Sequence, residues 1–398
     1  MANLHKCYNI ADLRRAAKRA LPSPMFHYID GGADDEVALR RNTCAFDDYE
    51  LMPAQLNNVE TIDISTSLFG CTLPLPFFLA PTGMSRLFHH GKELAATRAA
   101  AVHGVLYSLS TLATTTLEDI AAENPGAKMF QVYILKDRGL TRELVERCKA
   151  ARYDALCLTV DTTIAGNRER DLRTGMTMPP RFGLSSLLSF ASHPAWAFNF
   201  LIRPDFKLAN IVHRVDALGN NAMALIDYVN SQFDRTLTWQ DAEWLAGEWG
   251  GPFVIKGLQS GADARRARDI GATAVMISNH GGRQLDSAPA PVDCIHNMRE
   301  AVGRDLELIV DGGIRRGNHI VKALALGADA CSVGRPYLYG LAAGGERGVS
   351  RAIEILRSET EQTMALSGYN DISKLKNADA ARRRWIHPGS SVRSVAAV

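Results

Sequence analysis

An α/β fold of the (β/α)8 TIM-barrel type is what the 398-residue sequence predicts. Eight short apolar runs read as strands buried on both faces. Segments of helical character, such as GKELAATRAAAVHG and SGADARRARDIGA, lie between most of them. Apart from one long gap, the runs recur every roughly 22 to 33 residues, which suits eight parallel βαβ units totalling about 250 residues. A doubly wound sheet would also alternate strand and helix, but it would carry a glycine-rich phosphate loop after its first strand. Here that turn is PTGMSRLFHHG, without GxGxxG.

The elements follow in order. Residues 1–75 form an N-terminal helical segment ahead of the barrel. The first four strands are expected at FFLA (77–80), VLYSL (105–109), KMFQVY (128–133) and ALCLTV (155–160). An insertion, 161–251, far exceeds an ordinary βα loop. The remaining strands are FVIK (253–256), AVMIS (274–278), LELIV (306–310) and ACSV (330–333). Residues 1–398 are thus expected to form a single barrel domain with two additions.

Composition narrows the function. The chain carries 45 basic and 43 acidic side chains with no long single-sign run, so nucleic acid is not an expected partner. Its 7 cysteines are scattered, with no C-x-x-C, which argues against a disulfide framework and against a metal site, and for a reducing cytoplasm. MANLHKCYNIADLRRAAKRA lacks the apolar core of a signal peptide, and no apolar stretch reaches the roughly 18 residues of a membrane span.

In such barrels the chemistry sits where strands end and βα loops begin. Those positions are rich in polar groups: Pro81 and Thr82, Ser110, Gln131 and Tyr133, Thr159 and Asp161, Lys256, His280 and Arg283, Asp311 to Gly313, and Gly334 with Arg335. DGGIRRG and GRP follow the seventh and eighth strands, where barrels commonly bind phosphate. Gly312, Gly313 and Gly334 let the main chain approach, and Arg315 and Arg335 supply charge. Arg283 and Arg168 can clamp a carboxylate. His280 is available as a base, and Asp161 would hold the imidazole and raise its pKa. Lys256, costly to bury, needs an electron-rich partner.

SNHGGRQLD, DGGIRRG and LALGADACSVGRP, in that order and joined by FHYIDGGADDE, LAPTGM, FQVY, LTVD and VIKG, resemble the FMN-dependent L-2-hydroxy-acid oxidising family. That family includes bacterial L-lactate dehydrogenase, mandelate dehydrogenase and glycolate oxidase. The resemblance implies FMN as cofactor and, residue by residue, a site. His280 would be the base, oriented by Asp161. Arg168, Arg283 and Tyr28 would bind the substrate carboxylate, and Tyr133 its hydroxyl. Ala80, Pro81 and Thr82 would lie beneath the flavin, with Ser110, Gln131, Thr159 and Ser278 at its polar groups. Lys256 would stabilise reduced flavin and Asp311 the ribityl chain, while Gly313, Arg315, Gly334 and Arg335 would hold the phosphate. LSTLAT and IAGNRERD look most like lactate dehydrogenases, so L-lactate is the expected substrate and L-mandelate the alternative. Leu112 and Ala165 differ from plant glycolate oxidase in the pocket around the substrate side chain.

Within the insertion, residues 180–214 mix Phe, Trp and Leu with Arg181, Arg203, Lys207 and Arg214 and few acids. This suits an interfacial segment on an anionic membrane, which implies a quinone acceptor and peripheral contact on the inner face of the cell membrane. The alternatives are a lid over the barrel mouth and a soluble oxidase that makes peroxide. A homo-oligomer, tetrameric by resemblance, is expected.

Overall fold

In the computed structural model, which describes residues 3–176, 181–202, 206–211, 233–378 and 380–383, eight parallel strands close into a barrel. They are β1 (Phe77–Thr82), β2 (Tyr107–Ser110), β3 (Lys128–Val132), β4 (Ala155–Thr159), β5 (Phe253–Leu258), β6 (Ala274–Ser278), β7 (Glu307–Asp311) and β8 (Ala330–Val333), and β8 pairs back onto β1. Each expected strand is present, because an apolar run buried on both faces is what a parallel barrel requires. The ends shift slightly. β2 starts at Tyr107, since the Val105 N–H is spent on Ala100 O at 2.9 Å, closing the preceding helix.

The register decides what reaches the rim. Thr159 lies opposite Lys256, Asp311 opposite both Ser278 and Ser332, and Ser110 opposite Gln131. Polar residues that each sit at a strand's C-terminal end are thereby gathered at one mouth. The other end is closed by a hairpin, Thr66–Leu68 paired with Cys71–Leu73: Thr66 Oγ1 donates to Asp329 O, and the Phe69 N–H to the Glu307 carboxylate.

Ahead of the barrel come α1 (Ile10–Ala20), α2 (Ser23–Asp30) and α3 (Val37–Cys44). Asn9 caps α1, accepting from Asp12 N at 2.9 Å, and Ile10, Leu13 and Ala17 place its apolar stripe against the core. The outer layer consists of α4 (Lys92–Val102), α5 (Leu117–Glu123), α6 (Arg138–Ala150), α10 (Trp239–Trp249), α11 (Gly261–Asp269), α12 (Pro291–Val302), α13 (Gly317–Ala325) and α14 (Arg335–Ser367), followed by α15 (Ile372–Asn377). The insertion after β4 supplies α7 (Glu169–Arg173), α8 (Leu184–Ala191) and α9 (Pro194–Ile202).

α8 and α9 carry part of the expected interfacial segment; its residues 180, 203–205 and 212–214, including Arg203 and Arg214, lie outside the described residues. One face of the pair is anchored. Trp196 stacks between Phe190 and Phe200, its Nε1 donates to Leu87 O at 2.8 Å, and Arg86 lies 5.0 Å from the Phe200 ring centroid. On the other side Leu184, Leu187, Leu188, Phe198 and Ile202 are exposed.

Candidate active site

At the C-terminal mouth the strand ends enclose a cavity of about 1440 Å³ counted out to its opening. Its wall holds Tyr28, Ala80, Pro81, Thr82, Ser110, Gln131, Tyr133, Thr159, Arg168, Lys256, His280, Arg283, Asp311, Gly313, Arg315, Gly334 and Arg335, brought together from all eight strand ends and α2. Two residues expected at the site stand behind this wall. Asp161 does so as a support for His280. Ser278, expected to contact cofactor, is fully buried behind the lining, with its hydroxyl engaged by three protein partners. It donates to Asp311 Oδ2 at 2.8 Å and accepts from Lys256 Nζ and the His280 N–H, each at 3.0 Å.

SNHGGR explains its own composition here. His280, Gly281 and Gly282 all have positive φ, at 59°, 66° and 75°. A Cβ on Gly281 would come within 2.7 Å of Arg335 Nη1, and one on Gly282 within 2.5 Å of Leu39 N. The glycines therefore let the loop pass under the N-terminal segment, while His280 tolerates a left-handed backbone that turns its ring toward the mouth. Asn279 fixes the turn: its Oδ1 accepts from Gly282 N, and it exchanges two amide hydrogen bonds of 2.7 Å with Asn42 of α3.

His280 Nδ1 lies 2.9 Å from Asp161 Oδ1, with Thr162 Oγ1 at 3.4 Å from the same nitrogen. This leaves Nε2 free to face the cavity. Gly257 makes the approach possible, since a Cβ there would sit 2.7 Å from Asp161 Cβ. The expected rise in the His280 pKa is not found. Burial pushes it below the ordinary imidazole value, and Lys256 and Arg283 add to this against the upward pull of Asp161. Burial would raise the Asp161 pKa, but His280 and Lys256 outweigh it and hold it at about 2.

Lys256 meets Asp311 Oδ2 at 3.0 Å. Burial alone would lower its pKa, yet Asp311 and Asp161 hold it above the usual lysine range, so the site contains a fixed ammonium. Arg283 lies with Cζ 4.9 Å from the Tyr28 ring centroid and Arg168 at 5.6 Å, so two guanidiniums pack on one aromatic ring. Burial and the neighbouring Arg168 lower the Arg283 pKa. Tyr133 packs edge-on against Phe233 at 5.1 Å, and burial pushes its phenol up to about 12.

The wall also has unspent donors and acceptors. Gln131 Nε2, Thr159 Oγ1 and Ser332 Oγ are buried without partners, although Ser110 Oγ donates to Gln131 Oε1 at 2.9 Å. Left empty, each would cost about 1–3 kcal/mol, so a planar polar ligand fits this floor. Pro81, which has no N–H, sits where β1 shifts register between Leu79 and Thr82, leaving a flat apolar ledge beside them. On the phosphate side Gly312 and Gly313 have φ of 127° and 79°, and a Cβ on Gly313 would collide with Asn42 O at 1.8 Å. Arg315 and Arg335 reach this end of the cavity, and neither has a carboxylate within ion-pair distance among the described residues. The residues present therefore fit FMN: a ledge for a ring, unsatisfied polar atoms for its edge, and uncompensated cations for a phosphate.

Sequence reading gave no role to Asn42, Thr162, Gly257 or Phe233. The first three act by holding other residues, and nothing local in a sequence marks such a contact.

Comparison with known proteins agrees with this geometry. The family model described as FMN-dependent dehydrogenase matches residues 17–382. The chain is 42% identical over 380 residues to a putative L-lactate dehydrogenase of Mycobacterium tuberculosis, covering 95% of this chain and 90% of that one. It is 42% identical to an L-lactate oxidase of Nostoc sp., covering 92% and 96%. Among solved structures it resembles the monotopic membrane protein (S)-mandelate dehydrogenase, with a TM-score of 0.91 at 32% identity over 95% of this chain and 100% of that one. A mandelate oxidase with (S)-4-hydroxymandelic acid matches at a TM-score of 0.82 and 34% identity, covering 95% and 99%. With its mouth built to receive a flavin and its length matched almost end to end, the chain belongs to the FMN-dependent dehydrogenase family.

Proposed function

We propose that the protein oxidises L-lactate to pyruvate and passes the electrons to a membrane quinone. The observation that carries the substrate chemistry is His280, held by Asp161, beside two guanidiniums that pack on the Tyr28 ring. Arg283 and Arg168 bind the substrate carboxylate as a charged pair, and this would hold the α-carbon over the exposed side of a flavin seated on the ledge of Ala80, Pro81 and Thr82. Tyr133 holds the substrate hydroxyl; its raised pKa keeps it a donor. His280 is neutral at physiological pH and takes the proton released on oxidation, from the α-carbon or from the hydroxyl. Asp161 then stabilises the imidazolium by the 2.9 Å hydrogen bond. FMN, when bound, supplies the two-electron acceptor. Lys256 would be the preorganised cation beside it, while Gln131 and Thr159 would meet its polar edge and Asp311 its ribityl chain. Gly313, Arg315, Gly334 and Arg335 would hold its phosphate.

Relatives named L-lactate dehydrogenase or oxidase support lactate as substrate. L-mandelate is the second reading, favoured by the aromatic edges of Phe88 and Phe233 and the small Ala165 in the cavity wall. The exposed apolar face of α8 and α9 supports quinone delivery from a membrane surface. Phe88, two residues beyond Arg86 under the anchored side of α9, lines the cavity, so α9 lies close to the mouth. Among the described residues no helix is long and apolar enough to cross a membrane, and contact would be peripheral. A homo-oligomer, tetrameric as the resemblance implies, completes the proposal.

Steady-state assays with L-lactate, L-mandelate and glycolate, each with a quinone analogue or with oxygen, test this reading. The highest kcat/KM is expected with L-lactate and quinone, with little peroxide. Efficient peroxide formation would make the protein an oxidase, and a higher kcat/KM with L-mandelate would replace lactate.

A further inference from the structure

Arg283 and Arg335 are half-buried cations with no carboxylate within ion-pair distance among the described residues; what they have instead is the end of α2. The last carbonyls of a helix lack intrahelical partners and carry the negative pole of its dipole. Here Tyr28 O accepts from Arg283 Nη1 at 2.6 Å, Ile29 O from Arg335 Nε at 2.9 Å, and Gly31 O from both, at 3.2 and 2.8 Å. Neutral carbonyls orient a guanidinium without cancelling its charge, so each arginine keeps its attraction for an anion.

Between these carbonyls sits Asp30, 5% exposed. Its carboxylate takes two hydrogen bonds from Arg14 of α1 (2.5 and 2.8 Å), one from Arg170 of α7 (3.1 Å) and one from the Tyr339 hydroxyl of α14 (2.8 Å). Arg170 is two residues from Arg168, and it continues to Glu36, which accepts from Gly32 N. Tyr339 is one helical turn beyond Arg335. Tyr28, Arg168, Arg283 and Arg335 are therefore all tied to one buried carboxylate that does not line the cavity.

We propose that Asp30 is a positioning residue: it anchors the C-terminal end of α2 so that this end aims Arg283 and Arg168 at the substrate carboxylate and Arg335 at the cofactor phosphate. This rests on the reading that those arginines bind anions. The test uses the holoenzyme and oxalate, an unreactive dicarboxylate, titrated by its perturbation of the flavin absorbance. Asp30→Asn should weaken oxalate about 10-fold or more and raise KM similarly, with the limiting rate of anaerobic flavin reduction changed less than about 3-fold. Asp30→Glu should recover part of the affinity. If Asp30→Asn does not fold, Tyr339→Phe removes one bond to the carboxylate without stranding a charge and should weaken oxalate by about 3-fold or more. Unchanged oxalate affinity in whichever of these two variants folds overturns the proposal, as does an equal loss of affinity and limiting rate. Arg283→Met separates the two claims. If it abolishes oxalate binding while Asp30→Asn does not weaken it, only the role of Asp30 fails; if Arg283→Met binds oxalate normally, the carboxylate reading fails with it.

Discussion

The imidazole of His280 works in an environment set by two opposing influences. Burial, Lys256 and Arg283 favour its neutral form, and Asp161 favours the charged one. The folded pKa lies below the ordinary value of about 6.5, so the base is available at any pH above that limb. In a pH profile of kcat/KM the acidic limb should fall below pH about 6.5. Asp161→Asn removes the one influence pulling upward, so its limb should move to still lower pH while kcat drops; a limb moving upward would contradict this balance. Gly313 makes a second residue-scale claim. Gly313→Ala would drive a methyl into Asn42 O in a left-handed conformation. It should lower stability by about 2 kcal/mol or more and release FMN, measured by thermal melting and flavin content. The residues that line the mouth were legible in the sequence because they cluster at strand ends, in types that packing does not need. Asn42, Gly257 and Asp30 were not, since each acts on a partner remote in the chain. The three partners of the Ser278 hydroxyl likewise appear only in the folded barrel.

Among elements, the eight strands were legible because parallel barrel strands are apolar on both faces, and a continuous run needs no periodicity to be recognised. The helices of the insertion were legible only as composition, because their roles depend on which side is anchored. Trp196 and Phe200 face inward, leaving the leucines of α8 outward. Replacing Leu184, Leu187, Leu188 and Phe198 with serine should reduce sedimentation with anionic vesicles while kcat with a soluble dye acceptor stays near normal. Unchanged vesicle binding would assign this face to something other than a membrane.

Over the whole molecule, buried neutral histidines tie stability to pH. Burial lowers His89 to about 4 and, foremost among its causes, lowers His319 to about 3; His319 stacks on Phe46 at 4.4 Å. As pH falls below about 6.5 the unfolded chain takes up protons that the folded one refuses, so stability should decline from there toward pH about 3. Melting temperature against pH should show this slope, and His319→Gln should flatten it. The measurement that most directly tests the central claim is anaerobic mixing of the flavin-loaded protein with L-lactate, followed by flavin absorbance. Wild type should bleach rapidly. His280→Gln, with its flavin retained, should bleach about 100- to 10,000-fold more slowly. A variant that bleaches at the wild-type rate, or a wild type that no 2-hydroxy acid bleaches, would contradict the account.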